Sequence, residues 1–200
     1  MVVFLIGWEI MAVGSFFAVI FENDRPLVLK SGINYFIQSH IAVLMLTAAF
    51  VWVYSKSGVL TFEGFKVFMT EASSKEIYVM MFLLVGGFGF KAGLVPFHSW
   101  LPYAHPAAPS HVSALMSGVI VKAGIYGIIR FGSYMSYSQA GVATEIGIAV
   151  LAIGLISGLY GIVNAAVHRD FKRMLAYCTI ENVGIIAMGI GVGYIGIGEG

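Results

Sequence analysis

The sequence predicts an all-α, polytopic membrane fold, and three observations carry that reading. Of its 200 residues, 59% are hydrophobic and only 10% charged, well beyond the apolar share of ordinary soluble domains. The mean hydropathy is +0.91. Six apolar stretches approach the roughly 20 residues that cross a bilayer as a helix, over residues 2–21, 33–54, 77–97, 112–131, 146–167 and 174–194. They are continuously apolar and glycine-rich, as membrane helices tolerate, whereas a barrel would show short alternating segments.

The first stretch opens at Met1 without the basic region and small-residue cleavage site of a signal peptide. The chain opens inside a span and closes on Gly-Glu-Gly, so a single transmembrane domain, internal to a longer protein, is expected over residues 1–200. Residues 57–76 form the one long polar connection. Phe62, Phe65, Phe68 and Met69 recur there at helical spacing, which predicts a short amphipathic helix at the interface. Arg25, Lys30, Arg169, Lys172 and Arg173 fall on one side of the alternating spans. Lys56, Lys66, Lys75 and Arg130 fall on the other, a count that decides little; the compact basic cluster from His168 to Arg173 places the first side, with His98 and His105, in the cytoplasm.

A net charge of +1 gives no basic surface for nucleic acid. Cys178 is the only cysteine, which excludes an internal disulfide framework and a cysteine-based zinc or iron–sulfur site. No catalytic centre and no cofactor site is evident, so any redox metal belongs to partner subunits.

Lys91, Lys122 and Glu9 interrupt apolar stretches. An ionisable group at mid-membrane costs about 2.5–3.5 kcal/mol or more and commonly marks an ion or proton path. At about 1.5 Å per residue, Glu9 lies roughly 18 Å from the end of its helix and Lys91 roughly 14 Å from Trp100 on the same side. The two are expected to face each other as a separable ion pair, with Lys122 displaced by about 10 Å and reached through water. Lysine suits a relay because burial favours its neutral form, whereas arginine cannot be discharged.

Glu181 lies seven residues into the last stretch, as a relay carboxylate or an edge acid paired with Lys172 or Arg173. His40 sits near the start of the second stretch, where it extends a wet path or bonds a neighbouring helix. Pro96, Pro102, Pro106 and Pro109 crowd one connection with His98, His105 and His111. Pro96 is expected to break the helix after Lys91, baring carbonyls to a hydrated cavity. Histidine spacings of seven and six residues put no two ligands on one helix face, so proton carriers at a channel mouth are preferred to a metal site. Gly86, Gly87, Gly89 and Gly93 read as helix-packing residues, and the aromatics as lipid-facing and interfacial.

The run from Phe90 through Lys91, Pro96, His98 and Pro102 to His105, Pro109, His111 and Met116, with Val121-Lys122-Ala123-Gly124, Asp170-Phe171-Lys172-Arg173 and the opening Gly7-Trp8-Glu9, resembles the antiporter-like proton-pumping subunits of respiratory complex I. The His105-to-Ser110 stretch is most similar to the large membrane subunit of formate hydrogenlyase and hydrogenase-4. The resemblance implies a fold of about fourteen helices with two inverted repeats, of which this chain supplies the fifth to tenth. It makes Glu9 the fifth-helix glutamate, Lys91 the lysine of the broken seventh and Lys122 the central lysine of the eighth. Glu181 takes the place equivalent to Glu9 in the second repeat.

The implied function is proton translocation in a prokaryotic plasma membrane, in a redox-driven complex of the membrane-bound hydrogenase or NADH:quinone oxidoreductase type. Its partners would be other membrane subunits and a peripheral arm of hydrogenase and iron–sulfur subunits holding the metal centres. The alternatives are a multisubunit sodium/proton antiporter without redox chemistry, and a passive anchor with frozen ion pairs.

Overall fold

A computed structural model describes residues 1–22 and 24–199, with the side chain of Ala140 left aside. The chain runs through α1 (Val2–Val19), α2 (Pro26–Ser57), α3 (Glu63–Glu71), α4 (Ser74–Ala92), α5 (Leu101–Ala107), α6 (Ser110–Leu115), α7 (Val121–Gly132), α8 (Ala140–Val167) and α9 (Phe171–Glu199). A π-helical turn, Met116–Ile120, joins α6 to α7, and a 3₁₀ turn, Ser133–Tyr137, follows α7. No strand occurs among the described residues.

Five segments are long and apolar enough to cross a membrane: Val2–Val19, Pro26–Ser57, Ser110–Tyr137, Gly141–Val167 and Phe171–Glu199. The stretch expected over 77–97 ends as a helix at Ala92, and α4 is not among the five because its 19 residues carry Lys75, Glu76 and Lys91. α4 starts at Ser74 behind a capping box between Ser73 and Glu76 and stops at Ala92. The stop comes before Pro96, at Gly93, whose φ of +76° is a left-handed C-cap that a Cβ disfavours. Pro96 therefore follows the break instead of making it, and Gly93 serves a turn rather than helix packing. Lys91 stands in the last turn of α4. The indole of Trp100 donates to the Phe90 carbonyl at 2.7 Å, satisfying one of the carbonyls that the helix end leaves open.

α3 lies where an amphipathic helix was expected, burying Phe65, Phe68 and Met69 on one face. The aromatics differ from expectation. Phe65, Phe88 and Phe131 are fully buried, and Phe4 contacts Trp8, Phe50, Phe62, Phe88 and Phe131 at centroid distances of 5.4–6.1 Å. Lipid offers no hydrophobic drive for helix association, so this aromatic interlock of α1, α2, α3, α4 and α7 holds by close packing. Glycine brings backbones together elsewhere. A Cβ at Gly124 would stand 2.6 Å from the Ala92 nitrogen of α4, and one at Gly184 on α9 would stand 2.4 Å from the Gly158 nitrogen of α8.

A candidate proton-relay site

α2 carries the centre of the site, because it packs α1 on one face and α4 on another. Tyr35 and Ser39, four residues apart, share the face toward α4. Both are buried. Lys91, 1% exposed, donates from Nζ to the Tyr35 hydroxyl at 2.6 Å and the Ser39 hydroxyl at 3.3 Å. Its ammonium also lies 4.7 Å from the centroid of the Tyr35 ring. No carboxylate pairs with Lys91 among the described residues.

Glu9 instead meets His40, its Oε1 lying 2.8 Å from Nε2. The expected Glu9–Lys91 pair does not form although α1 and α4 touch through Trp8 and Phe88, because each charge turns to a different flank of α2, Glu9 to His40 and Lys91 to Tyr35 and Ser39: equal depth, which residue counting supplies, says nothing of direction. The opposite ring nitrogen, Nδ1 of His40, is 2.9 Å from the Phe36 carbonyl, an acceptor only, so Nδ1 carries a proton. The short Nε2–Oε1 contact then needs one further proton, on imidazole or carboxyl, and the pair is neutral overall in either form. Glu9 Oε2 is buried without a partner. His40 stands about 100° round α2 from Ser39, so the Glu9–His40 pair sits on a different flank of that helix from Lys91.

Lys122 is not near either group. Gly124 packs against α4, and Lys122, two residues earlier, points about 200° away on the helical wheel. It is exposed and donates to the Ser117 carbonyl at 2.9 Å, within the π-helical turn. The water-bridged approach of Lys122 to Lys91 is thus replaced by a different neighbourhood.

That neighbourhood leads to a cavity of about 460 Å³ between α5–α6 and α9, whose wall includes His105, Ser113, Ser117, Lys172, Thr179 and Asn182. His105, 2% exposed, engages the Ser113 hydroxyl through Nδ1, while its Nε2 is buried without a partner. Burial, then the nearby Lys172 charge, pushes His105 down to about 4. Lys172 itself donates to the Ala108 carbonyl at 2.8 Å. The Ser117 hydroxyl sits 3.4 Å from the Ser113 carbonyl, so polar groups run along one face from His105 to Lys122.

The other candidates are dispersed. His98 packs on Tyr160 with centroids 4.5 Å apart; burial lowers its pKa against a raising contribution from the Pro96 backbone. His111 is exposed. Glu181 is half-buried where α9 abuts Gly161 of α8, and neither Lys172 nor Arg173 pairs with it. Lys172 is committed to Ala108, and Arg173 lies over the Tyr103 ring.

This arrangement has a family. The family model described as "NADH:quinone oxidoreductase/Mrp antiporter, TM" matches residues 1–199. The chain belongs to this family.

Among relatives of this chain, hydrogenase-4 component B of Escherichia coli (strain K12) is 42% identical over 97% of the chain and 28% of its own length. Formate hydrogenlyase subunit 3 of the same organism is 32% identical over 97% of the chain and 30% of its own length. A chain of the membrane-bound sulfane sulfur reductase, an archaeal respiratory membrane complex, superposes with a TM-score of 0.82 at 21% identity, covering 96% of this chain and 41% of that one, and so shows the shared fold. The chain therefore spans under a third of the length of these two curated relatives. Family membership and the apolar helices make it a multi-pass membrane protein.

Sequence reading of this family member missed Tyr35 and Ser39. The signal was present: Asn34, Tyr35, Gln38, Ser39 and His40 crowd two turns of an apolar helix, yet only the titratable His40 stood out.

Proposed function

We propose that the chain conducts protons across a prokaryotic plasma membrane as part of a redox-driven complex of the membrane-bound hydrogenase or NADH:quinone oxidoreductase type. The observation that carries this reading is Lys91. It is only 1% exposed and held by two neutral hydroxyls rather than by a carboxylate. A structural ion pair would supply a fixed counter-charge; hydroxyls solvate an ammonium and accept its loss, since each donates or accepts as needed.

Glu9 and His40 share a proton on a neighbouring flank of α2, and a change in that pair alters the field at Lys91. Protons enter from the His105 cavity, which is roomy and polar enough for several waters, and reach Lys122 through Ser113 and Ser117. His98, His111 and Glu181 lie outside the lining of that cavity and have no part in this path. Partner subunits, hydrogenase and iron–sulfur proteins among them, hold the metal centres; this chain supplies none.

The test is Lys91→Ala in the full-length protein within its native complex, read as donor-driven acidification of inverted membrane vesicles. Loss of pumping with protein level unchanged is expected, and unchanged pumping rejects the relay. Because the family description also names the Mrp antiporter, ion exchange is the second reading. Sodium-dependent dissipation of a pH gradient in vesicles without any electron donor would favour it.

A further inference from the structure

The cavity behind His105 is polar, yet no carboxylate is among its lining residues. The acids nearest to it in sequence turn elsewhere. Asp170 accepts from the Arg173 amide through Oδ1 at 2.9 Å, and Glu181 has its Cβ against Gly161 of α8. The charges at the cavity are positive. Lys172 lines it, with Nζ held by the Ala108 carbonyl at 2.8 Å. Lys122 adds a second ammonium, donating to the carbonyl of Ser117, another lining residue. His105 adds no charge near neutral pH, since burial and the Lys172 ammonium hold it down to about 4.

Lys172 stands at the outer end. α9 has 29 residues, about 43 Å, so its start lies at a membrane boundary. Lys172 is its second residue, and Asn182, which also lines the cavity, lies about 15 Å deeper. A space of about 460 Å³ over that length is roughly 6 Å wide. An ion entering along it passes within about 8 Å of the ammonium, where a like charge at an effective dielectric near 20 lowers its occupancy roughly 30-fold.

Sodium cannot avoid that barrier. It must carry its whole charge past the lysine, and no carboxylate offsets the water it leaves behind. A proton can avoid it, because lysine hands its own proton inward and takes another from outside, so the charge at that point never doubles. Resting on the proton-conducting reading above, we propose that Lys172 is the ion-selecting residue of this path: its ammonium keeps sodium out of the cavity, so that the ion passed to Lys122 is a proton.

The test reads charge inside the cavity without requiring pumping. Cys178 is the only cysteine of the 200 residues, lines the cavity and lies about 9 Å along α9 beyond Lys172. The full-length protein in its native complex, in nanodiscs open on both faces, is treated with methanethiosulfonates bearing an ammonium or a sulfonate. Labelling of the Cys178 peptide is timed by mass spectrometry, and each rate is divided by that of a small free thiol. The sulfonate reagent should be favoured at least about tenfold, and Lys172→Arg should keep this bias. Lys172→Gln should remove most of it. So should Asn182→Asp, which sets a carboxylate one turn beyond Cys178 and serves if the Lys172 variant does not assemble. Sodium chloride, compared with choline chloride, should leave labelling of the unaltered protein by neutral methyl methanethiosulfonate unchanged and slow it in Asn182→Asp. If Lys91→Ala pumps normally while the bias holds, the relay falls and the exclusion of sodium stands. A charge ratio in the unaltered protein like that of the free thiol overturns the proposal. So does a bias that survives both Lys172→Gln and Asn182→Asp, sodium acting alike on the unaltered protein and Asn182→Asp, or no labelling of Cys178 by any reagent.

Discussion

The Lys91 ammonium rests 2.6 Å from the Tyr35 hydroxyl and 4.7 Å from the centre of the same ring, so one side chain solvates the charge in two ways. Removing the hydroxyl keeps the ring. Tyr35→Phe should therefore retain the fold and the cation–π contact, but leave Lys91 with only the longer Ser39 bond. A hydrogen bond to a charged group contributes about 1.5–3 kcal/mol, so donor-driven pumping should fall severalfold or more, read as the initial acidification rate in inverted vesicles. Tyr35→Phe with Ser39→Ala should stop it.

Glu9 and His40 act as a unit, and single changes should cost almost as much as the double change. Glu9→Gln leaves His40 without its anion, and His40→Ala leaves the carboxylate short of a donor. A double-mutant cycle on pumping rate should show a coupling of about 0.5–3 kcal/mol. Additive effects would mean that the short Nε2–Oε1 contact has no part in the relay.

Acid should loosen the connection through His105, which lies in α5 between spans. Its folded pKa, about 4, is below the ordinary imidazole value of 6.5. The folded state therefore prefers the neutral ring, and this contribution is fully present above about 6.5 and lost as pH falls toward 4. Thermal unfolding of the nanodisc-embedded protein between these values should show a falling midpoint. His105→Gln should flatten that slope.

Gly93→Ala tests the helix break. The positive φ costs a Cβ-bearing residue roughly 1–2 kcal/mol, and the new methyl would also stand 2.9 Å from the Leu101 side chain. The unfolding midpoint should drop, and pumping should fall with it, since the turn sets the position of Lys91.

Gly184→Val should separate α8 from α9. The added group would meet Gly158 and Gly154 backbone atoms at 2.4 and 2.6 Å, which flexible side chains cannot relieve. Loss of the folded protein on native gels is expected, whereas Gly189→Ala on the same helix, with nothing within 4 Å, should be silent.

The elements were largely legible because lipid demands long apolar helices, and their pattern is written residue by residue. α3 was equally clear from Phe65, Phe68 and Met69. What escaped was lateral arrangement. Axial counting put Glu9 and Lys91 at one depth but could not tell that each turns to a different flank of α2. It also gave the distance of Lys122 along its helix without the direction, which Gly124 fixes through contact with Ala92. The break was read from Pro96, the conspicuous residue, while Gly93 made it through a backbone angle that no side-chain pattern announces. Tyr35 and Ser39 carry no formal charge and so drew no notice beside His40.

α2 is a single rod of 32 residues whose only proline is at its first turn. One flank of that rod holds His40 against Glu9, and another holds Tyr35 and Ser39 against Lys91. Such a rod turns as one piece, like a camshaft with two lobes. A small axial rotation that slackens one grip shifts the other in the same stroke, so the timing between the carboxylate and the lysine is built into the stiffness of a helix that itself carries neither.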